Sequence, residues 1–450
     1  MVYAGSAIYL RPKVPEQGVP VLQDAIKALT KQIPFLTGVV APVSGTHGGM
    51  QIRPATNDQS SLHAPLCAVK RFPHLRLPSS SSGVDHLDSL TDFNYDRNAG
   101  LVLAPIDIAA LRTNHPVIRF QINVLADGVI LNLFHNHAVL DGAGLGVLVE
   151  TLATYCRSGP NSDYTVDMDR EMATRAFLAT VGRETIKSYQ VPPAADTAPV
   201  ITEEPIHDVN LHDCIFSFSA VKVDHLHQAA LQQWQQKTQS SLPSVSADDI
   251  VAAVLSLCFT RLRSQSAPAQ PASCTIQRMV DVRRRFDPPI PSRYMGNCYI
   301  IIDQPLSLPL LGSYDSIEEA TSLVGEIACE LRSNLNKVDH QYVRNVMAQH
   351  SQYSNTIAVS EEPDIWVTSL RRLPIYQQQF GPILGEVVKF QLLPYMNPER
   401  VFTISPCRVG DETWEVCMTL NKTEMDLIMG DRFFRWIVKG GEYLRFFENA

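Results

Sequence analysis

Apolar and polar positions alternate most sharply between residues 118 and 137. Ile118, Phe120, Ile122 and Val124 alternate with Arg119, Gln121 and Asn123, a period of two that predicts a half-buried strand. Asp127-Gly128 supplies a hairpin turn, and Val129, Leu131 and Leu133 mark the inner face of a return strand. If that strand continues, His135 and His137 point the same way. From Leu145 the period lengthens, and Leu145, Leu148, Val149, Leu152, Ala153 and Cys156 form a helical stripe. Two histidines therefore end a strand just where loops and helix starts expose side chains to a ligand.

The same patterning divides the chain. Residues 1–157 read as an α/β unit, with a strand near Ala7–Leu10 and a helix through Val21–Thr30 that lines up Leu22, Ile26 and Leu29. Residues 158–213 break the alternation with Pro160, Pro192, Pro193, Pro199 and Pro205, leaving one candidate helix near Arg170–Tyr189, and read as a crossover. Residues 214–450 read as a second α/β unit. It opens with a strand at Ile215–Val223 and a helix at Val223–Thr238, then a helix entered at Ser246 with Asp249 as a short-armed capping box. Further strands are expected near Thr275–Val282, Asn297–Ile302, Val387–Leu393, Val401–Ser405 and Trp414–Leu420. An amphipathic helix carrying Phe433, Trp436, Ile437, Gly440, Tyr443 and Phe447 is expected at the C-terminus. The serine-rich stretch from Pro78 to Gly83 reads as a loop, and no fixed-period repeat is visible.

Composition narrows the class. With 450 residues, 45% of them hydrophobic and 19% charged, the chain has the profile of an ordinary globular protein that builds its core without disulfides. A net charge of −8 argues against nucleic acid as a partner, since phosphate binding needs a clustered basic surface. Nine cysteines, none in a Cys-x-x-Cys pair, favour reduced thiols. No signal-peptide pattern precedes Arg11 and Lys13, and no apolar run approaches a membrane span. The expectation is a soluble cytoplasmic protein, and nothing in the pattern calls for an oligomer.

The junction carries the chemistry. His137-Ala-Val-Leu-Asp141-Gly142 sets an imidazole and a carboxylate four residues apart, and Gly142 relieves the turn into the helix. An imidazole with a pKa of about 6.5 accepts a hydroxyl proton near neutral pH, and such a general base supplies roughly 10²–10⁴-fold. Asp141 has the residue type of an orienting carboxylate. His135, His137 and Asp141 also have the donor types of a zinc site, with no other ligand cluster evident. Gly142, Gly144 and Gly146 mimic a dinucleotide fingerprint but lack its third glycine at the required spacing, and Glu150 falls inside the helix.

His-x-x-x-Asp-Gly after a strand, in a chain of this length, resembles the coenzyme-A-dependent acyltransferase superfamily. The nearest branch is the plant and fungal (BAHD-like, trichothecene acetyltransferase-like) enzymes that decorate secondary metabolites. Asp281-Val282-Arg283, then Pro288-Pro289 and Tyr294-Met295-Gly296-Asn297, is similar to the family's Asp-x-Arg and Tyr-x-Gly-Asn stretch. Thr368-Ser369, Leu373-Pro374-Ile375-Tyr376 and Phe380-Gly381 are similar to the approach to its second signature, Asp-Phe-Gly-Trp-Gly. The stretch from Trp414 through Met425 also has the family look. The resemblance implies two chloramphenicol-acetyltransferase-like α/β domains, mixed sheets flanked by helices, meeting along a tunnel. It implies His137 in mid-tunnel as general base, Asp141 turned away to hold the loop with Arg283 as its partner, and acyl-CoA as co-substrate rather than any bound cofactor. Thr368, Ser369, Leu370 and Asn297 then fall along the substrate and coenzyme path. Arg283, Arg284 and Arg285 are candidates for the coenzyme phosphates, although Arg283 is expected to be buried. Arg284 and Arg285, like Arg371 and Arg372, otherwise read as solvated basic patches.

Two positions depart from the family pattern. Leu370 stands where the family carries Trp, whose indole can donate to an oxyanion; losing such a donor costs about 3–4 kcal/mol unless Ser369, Thr368 or a backbone amide replaces it. Gln379 stands where the family has Asp, and Pro382-Ile383 replace Trp-Gly. Three function classes follow: acyl transfer from acyl-CoA to a hydroxyl or amine of a small secondary metabolite; a coenzyme-independent cyclisation, dehydration or isomerisation of a polyketide or terpenoid in the same tunnel; and a silent binding protein.

Overall fold

The computed structural model describes residues 3–43, 50–54, 66–77, 115–159, 164–181, 211–237, 244–266, 273–307, 314–352, 364–393 and 399–445. The Ser-rich stretch, Tyr189, the prolines at 160, 192, 193, 199 and 205, and Phe447 lie outside the described residues. In the N-terminal half, β1 (Tyr3–Leu10), α1 (Pro15–Gln32), β2 (Val39–Pro42), β3 (Met50–Arg53), β4 (Cys67–Phe72), β5 (Ile118–Leu125), β6 (Val129–Asn136) and α2 (Gly142–Ser158) follow in order. The crossover contributes α3 (Met168–Val181). The second half runs β7 (Leu211–Ser219), α4 (Ala220–Lys237), α5 (Ala247–Ser266), β8 (Ser273–Asp281), β9 (Tyr299–Ser307), α6 (Ile317–Asn336), α7 (His340–Gln352) and β10 (Ile365–Ser369). It continues with α8 (Gly381–Leu384), β11 (Val387–Leu393), β12 (Val401–Ile404), β13 (Thr413–Asn421), α9 (Lys422–Gly430), α10 (Arg432–Ile437) and β14 (Val438–Arg445).

Two mixed sheets organise these elements. The first has the order β11-β1-β6-β5-β4, and the second has the order β14-β7-β13-β12-β10-β8-β9. Strand β11 comes from the second half of the chain yet forms the edge of the first sheet, antiparallel to β1 from Gly5↔Leu393 to Leu10↔Val387. The strand and the segment leading into it supply Ile375, Phe380, Leu384 and Phe390 to the N-terminal core, packed with α1 and α2 residues such as Leu22, Leu145 and Leu148. Burying a side chain of this size stabilises by about 1.5–3 kcal/mol. Residues 214–450 are therefore not self-contained.

The hairpin of β5 and β6 is more enclosed than its alternation predicts. Every residue of both strands is buried, including Arg119, Gln121, Asn123 and Asn132, because the sheet is covered on both faces. The C-terminus also differs from expectation. The amphipathic helix ends at Ile437, and β14 takes Val438–Arg445 onto the edge of β7. Gly440-Gly441 weakens a helix by roughly 1 kcal/mol per glycine, and an unpaired strand edge is available to receive the chain. Ser246 and Asp249 do form the capping box: the Ser246 amide donates to Asp249 Oδ2 at 2.8 Å, and the Asp249 amide donates to Ser246 Oγ at 3.4 Å. Asp249 is fully buried and is also held by Arg278 and Arg332. Burial alone would raise its pKa; the two guanidinium groups and the Ser246 bonds hold it below the ordinary carboxylate value.

Candidate active site

Strand β6 ends at Asn136, and residues 137–139 turn before α2 begins. Asn136 closes that turn, since its Oδ1 accepts from the Ala138 amide at 3.0 Å and its carbonyl accepts from the Val139 amide at 3.0 Å. His137 stands in the turn and is half-buried. Leu140 then bridges to Gly296 of the second half, and Asp141 caps α2 by accepting from the Gly144 amide at 2.8 Å. Gly144 is required here, because a Cβ would lie 1.9 Å from the Met295 carbonyl oxygen.

Asp141 faces the second half of the chain. Its Oδ1 also accepts from Arg283 Nη2 at 2.9 Å, and its Oδ2 accepts from the Cys298 amide at 2.8 Å. Arg283 is 3% exposed and donates further to the carbonyls of Tyr294 and Gly296 and to the Asp281 carboxylate. Burial works against the Arg283 charge, but the hydrogen bond and charge of Asp141, with Asp281 beside it, hold its pKa above the ordinary value. Both Asp141 oxygens are thus engaged away from the His137 ring.

Asn297, Cys298 and Tyr299 each grip the same loop. Asn297 Nδ2 donates to the His137 carbonyl at 2.6 Å, the Cys298 amide binds Asp141, and the Tyr299 ring stands edge-on to His137 at 5.9 Å between centroids. Tyr299 went unnoticed in the sequence because its approach to His137 spans the two halves; the adjacent Tyr-x-Gly-Asn stretch was the available signal. Glu171 was also missed. It is buried on α3, and its carboxylate accepts from the Met295 amide at 3.0 Å, so the crossover helix buttresses the loop that carries Asn297.

His135 is 2% exposed, with its ring 6.1 Å from that of His137 and its Nδ1 without a partner. Burial, with the charge of His137 as the lesser cause, pushes its pKa down to about 3, so it stays neutral at ordinary pH. Among the described residues no group of three or more His, Cys, Asp or Glu is arranged to hold a metal ion.

The remaining expected residues lie on the second sheet. Leu370 follows β10 and is half-buried, with its Cδ2 only 2.5 Å from where a Cβ on Gly142 would stand, so it covers the start of α2. Ser369 gives its hydroxyl to Asp248, and Thr368 pairs in register with Thr403. No hydrogen bond among the described residues joins either of them to His137. Gln379 is exposed, and its carbonyl accepts from Arg157 at the far end of α2, about 24 Å along the helix from Asp141 at 1.5 Å per residue. That departure from the family pattern is remote from His137. One arginine of each expected basic patch is built into the fold, while Arg284 and Arg372 are exposed: Arg285 is half-buried and donates to the carbonyls of Leu335 and Val338, and Arg371 stacks on Trp414 at 3.4 Å.

Compared with models of protein families, residues 80–433 match the transferase family. The chain belongs to that family. Over 94% of its length it is 29% identical to the O-acetyltransferase cpsE of Aspergillus campestris, covering 91% of that protein. It is 27% identical to the communesin N16 acyltransferase cnsK of Penicillium expansum, over 97% of this chain and 95% of that one. Among solved structures, TRI101 of F. graminearum in complex with coenzyme A and deoxynivalenol superposes with a TM-score of 0.73 at 19% identity, covering 97% of this chain and 96% of that one. Vinorine synthase gives a TM-score of 0.64 at 17% identity over 97% and 90%. The architecture is that of the coenzyme-A-dependent, BAHD-like acyltransferases, two α/β domains about a central tunnel. No described helix is long and apolar enough to cross a membrane.

Proposed function

We propose that this acyl-CoA-dependent acyltransferase uses His137 as the general base that loads an acyl group onto a hydroxyl or amine of a fungal secondary metabolite. The observation that carries the assignment is the division of labour in the loop. Asp141 is committed to Arg283 and Cys298, while His137 stands in the turn with its backbone pinned by Asn297. The acceptor proton passes to the imidazole as the acceptor oxygen or nitrogen attacks the thioester carbon. Collapse of the tetrahedral intermediate breaks the C–S bond, and the imidazolium protonates the departing thiolate, giving ester or amide plus free coenzyme A. No covalent enzyme intermediate is required. Asn297 acts as a positioning residue, since its Nδ2 donates to the His137 carbonyl.

The relatives named above, an O-acetyltransferase and an N-acyltransferase, support acyl transfer over a coenzyme-independent rearrangement. A cytoplasmic location is part of the same reading, supported by nine cysteines that are all free. Calorimetric titration with coenzyme A, with and without candidate acceptors, tests the reading. Binding of the coenzyme is expected. Turnover of an acceptor without any thioester would favour the rearrangement instead.

A further inference from the structure

Acyl transfer places negative charge on the thioester oxygen in the transition state, and a hydrogen-bond donor aimed at that oxygen is worth several kcal/mol. Most donors that the structure brings to the His137 loop are already spent. Leu370 has no side-chain donor, and its amide donates to the Ile404 carbonyl at 2.8 Å. Ser369 gives its hydroxyl to Asp248, Asn297 commits one Nδ2 proton to the His137 carbonyl, and the Cys298 amide is held by Asp141. Tyr299 differs. It is half-buried at the start of β9, its ring packs edge-on to His137 at 5.9 Å, and its hydroxyl makes no hydrogen bond among the described residues.

We infer that Tyr299 is a further catalytic residue, whose phenolic O–H donates to the oxyanion of the tetrahedral intermediate while His137 manages the proton. The inference rests on the acyl-transfer reading. Three consecutive residues would then complete the site, with Asn297 fixing the base, Cys298 fixing Asp141 and Tyr299 meeting the developing charge. Burial, and secondarily the charge of Asp141, raise the Tyr299 pKa, which keeps the phenol protonated across the working pH range. The donor neither gains nor loses its proton in the cycle. It shortens its hydrogen bond as charge builds and relaxes when the C–S bond breaks. An enzyme with Leu370 just after β10 thereby has a donor from the start of β9, two strands away in the same sheet.

The test is Tyr299→Phe, which keeps the ring against His137 and removes only the hydroxyl. The probe is trifluoroacetonyl-coenzyme A, whose hydrated ketone presents an oxygen like that of the tetrahedral intermediate, compared with coenzyme A alone. Both are titrated calorimetrically into the parent and the variant, with thermal melts to confirm the fold. The expected result is affinity for the ketone reduced about tenfold to a hundredfold, with coenzyme A affinity and melting temperature unchanged. Equal ketone affinity in parent and variant would overturn the role of Tyr299 while leaving acyl transfer standing. A parent that binds neither molecule would overturn the acyl-transfer reading itself, and this inference with it.

Discussion

Replacing Asp141 by Asn exchanges one carboxylate oxygen for an NH2 group and removes the charge. Capping of α2 survives, because Asn caps a helix about as well as Asp. The cost falls on two partners. Arg283, 3% exposed, keeps the carbonyls of Tyr294 and Gly296 but loses its buried counter-charge, leaving among the described residues the ion pair with Asp281, whose side chain is 55% exposed. The Cys298 amide, 2.8 Å from Oδ2, then faces either a second donor or a displaced oxygen. Removing one member of a buried pair costs about 3–5 kcal/mol, a large share of the ~5–15 kcal/mol by which domains are stable. The assay is urea unfolding of Asp141→Asn, Arg283→Met and the double variant, with acyl transfer measured on whatever remains folded. The double variant is expected to lose less than the sum of the singles, with a coupling of roughly 1–3 kcal/mol. An Asp141→Asn protein as stable as the parent but inactive would refute the reasoning, since the carboxylate would then act on His137 directly.

The α2 glycines offer a contrast. Gly144→Ala is expected to yield little soluble protein, because its Cβ meets a backbone oxygen at 1.9 Å, whereas Gly146→Ala meets side chains alone, Leu373 at 3.3 Å and Pro374 at 3.8 Å, and is expected to be neutral or stabilising by up to about 1 kcal/mol in a thermal melt. For His135, the folded pKa of about 3 lies below its unfolded value, so the stability it contributes is fully present above pH ~6.5 and is lost as pH falls toward 3. His135→Leu should remove an acid-side loss of order 4–5 kcal/mol from the pH dependence of unfolding, and identical pH profiles for parent and variant would contradict it.

Local order was legible where a short-range pattern decides it. The hairpin of β5 and β6, the helix after Asp141 and the Ser246–Asp249 box were readable because periodicity, a turn dipeptide and a cap each act within a few residues. His137, Asp141 and Arg283 were readable through spaced motifs. Long-range placement was not. Nothing near Val387–Leu393 indicates that this strand leaves its own half to pair with β1, because period-two apolarity serves either sheet equally well. The burial of Arg119, Gln121 and Asn123 is hidden for the same reason, since alternation cannot tell a solvated face from a covered one. The C-terminal misreading arose where apolar spacing fitted a helix and a Gly-Gly break decided otherwise. Tyr299 needed the two halves docked.

The central claim is that His137 is the base for transfer from a thioester. Release of free coenzyme A thiol from acetyl-CoA, followed with fungal secondary-metabolite alcohols and amines as acceptors, compares the parent with His137→Ala at matched melting temperatures. The account expects acceptor-dependent release in the parent and less than about one per cent of it in the variant, since general-base catalysis supplies roughly 10²–10⁴-fold. A well-folded His137→Ala protein that releases thiol at more than a few per cent of the parent rate would contradict it.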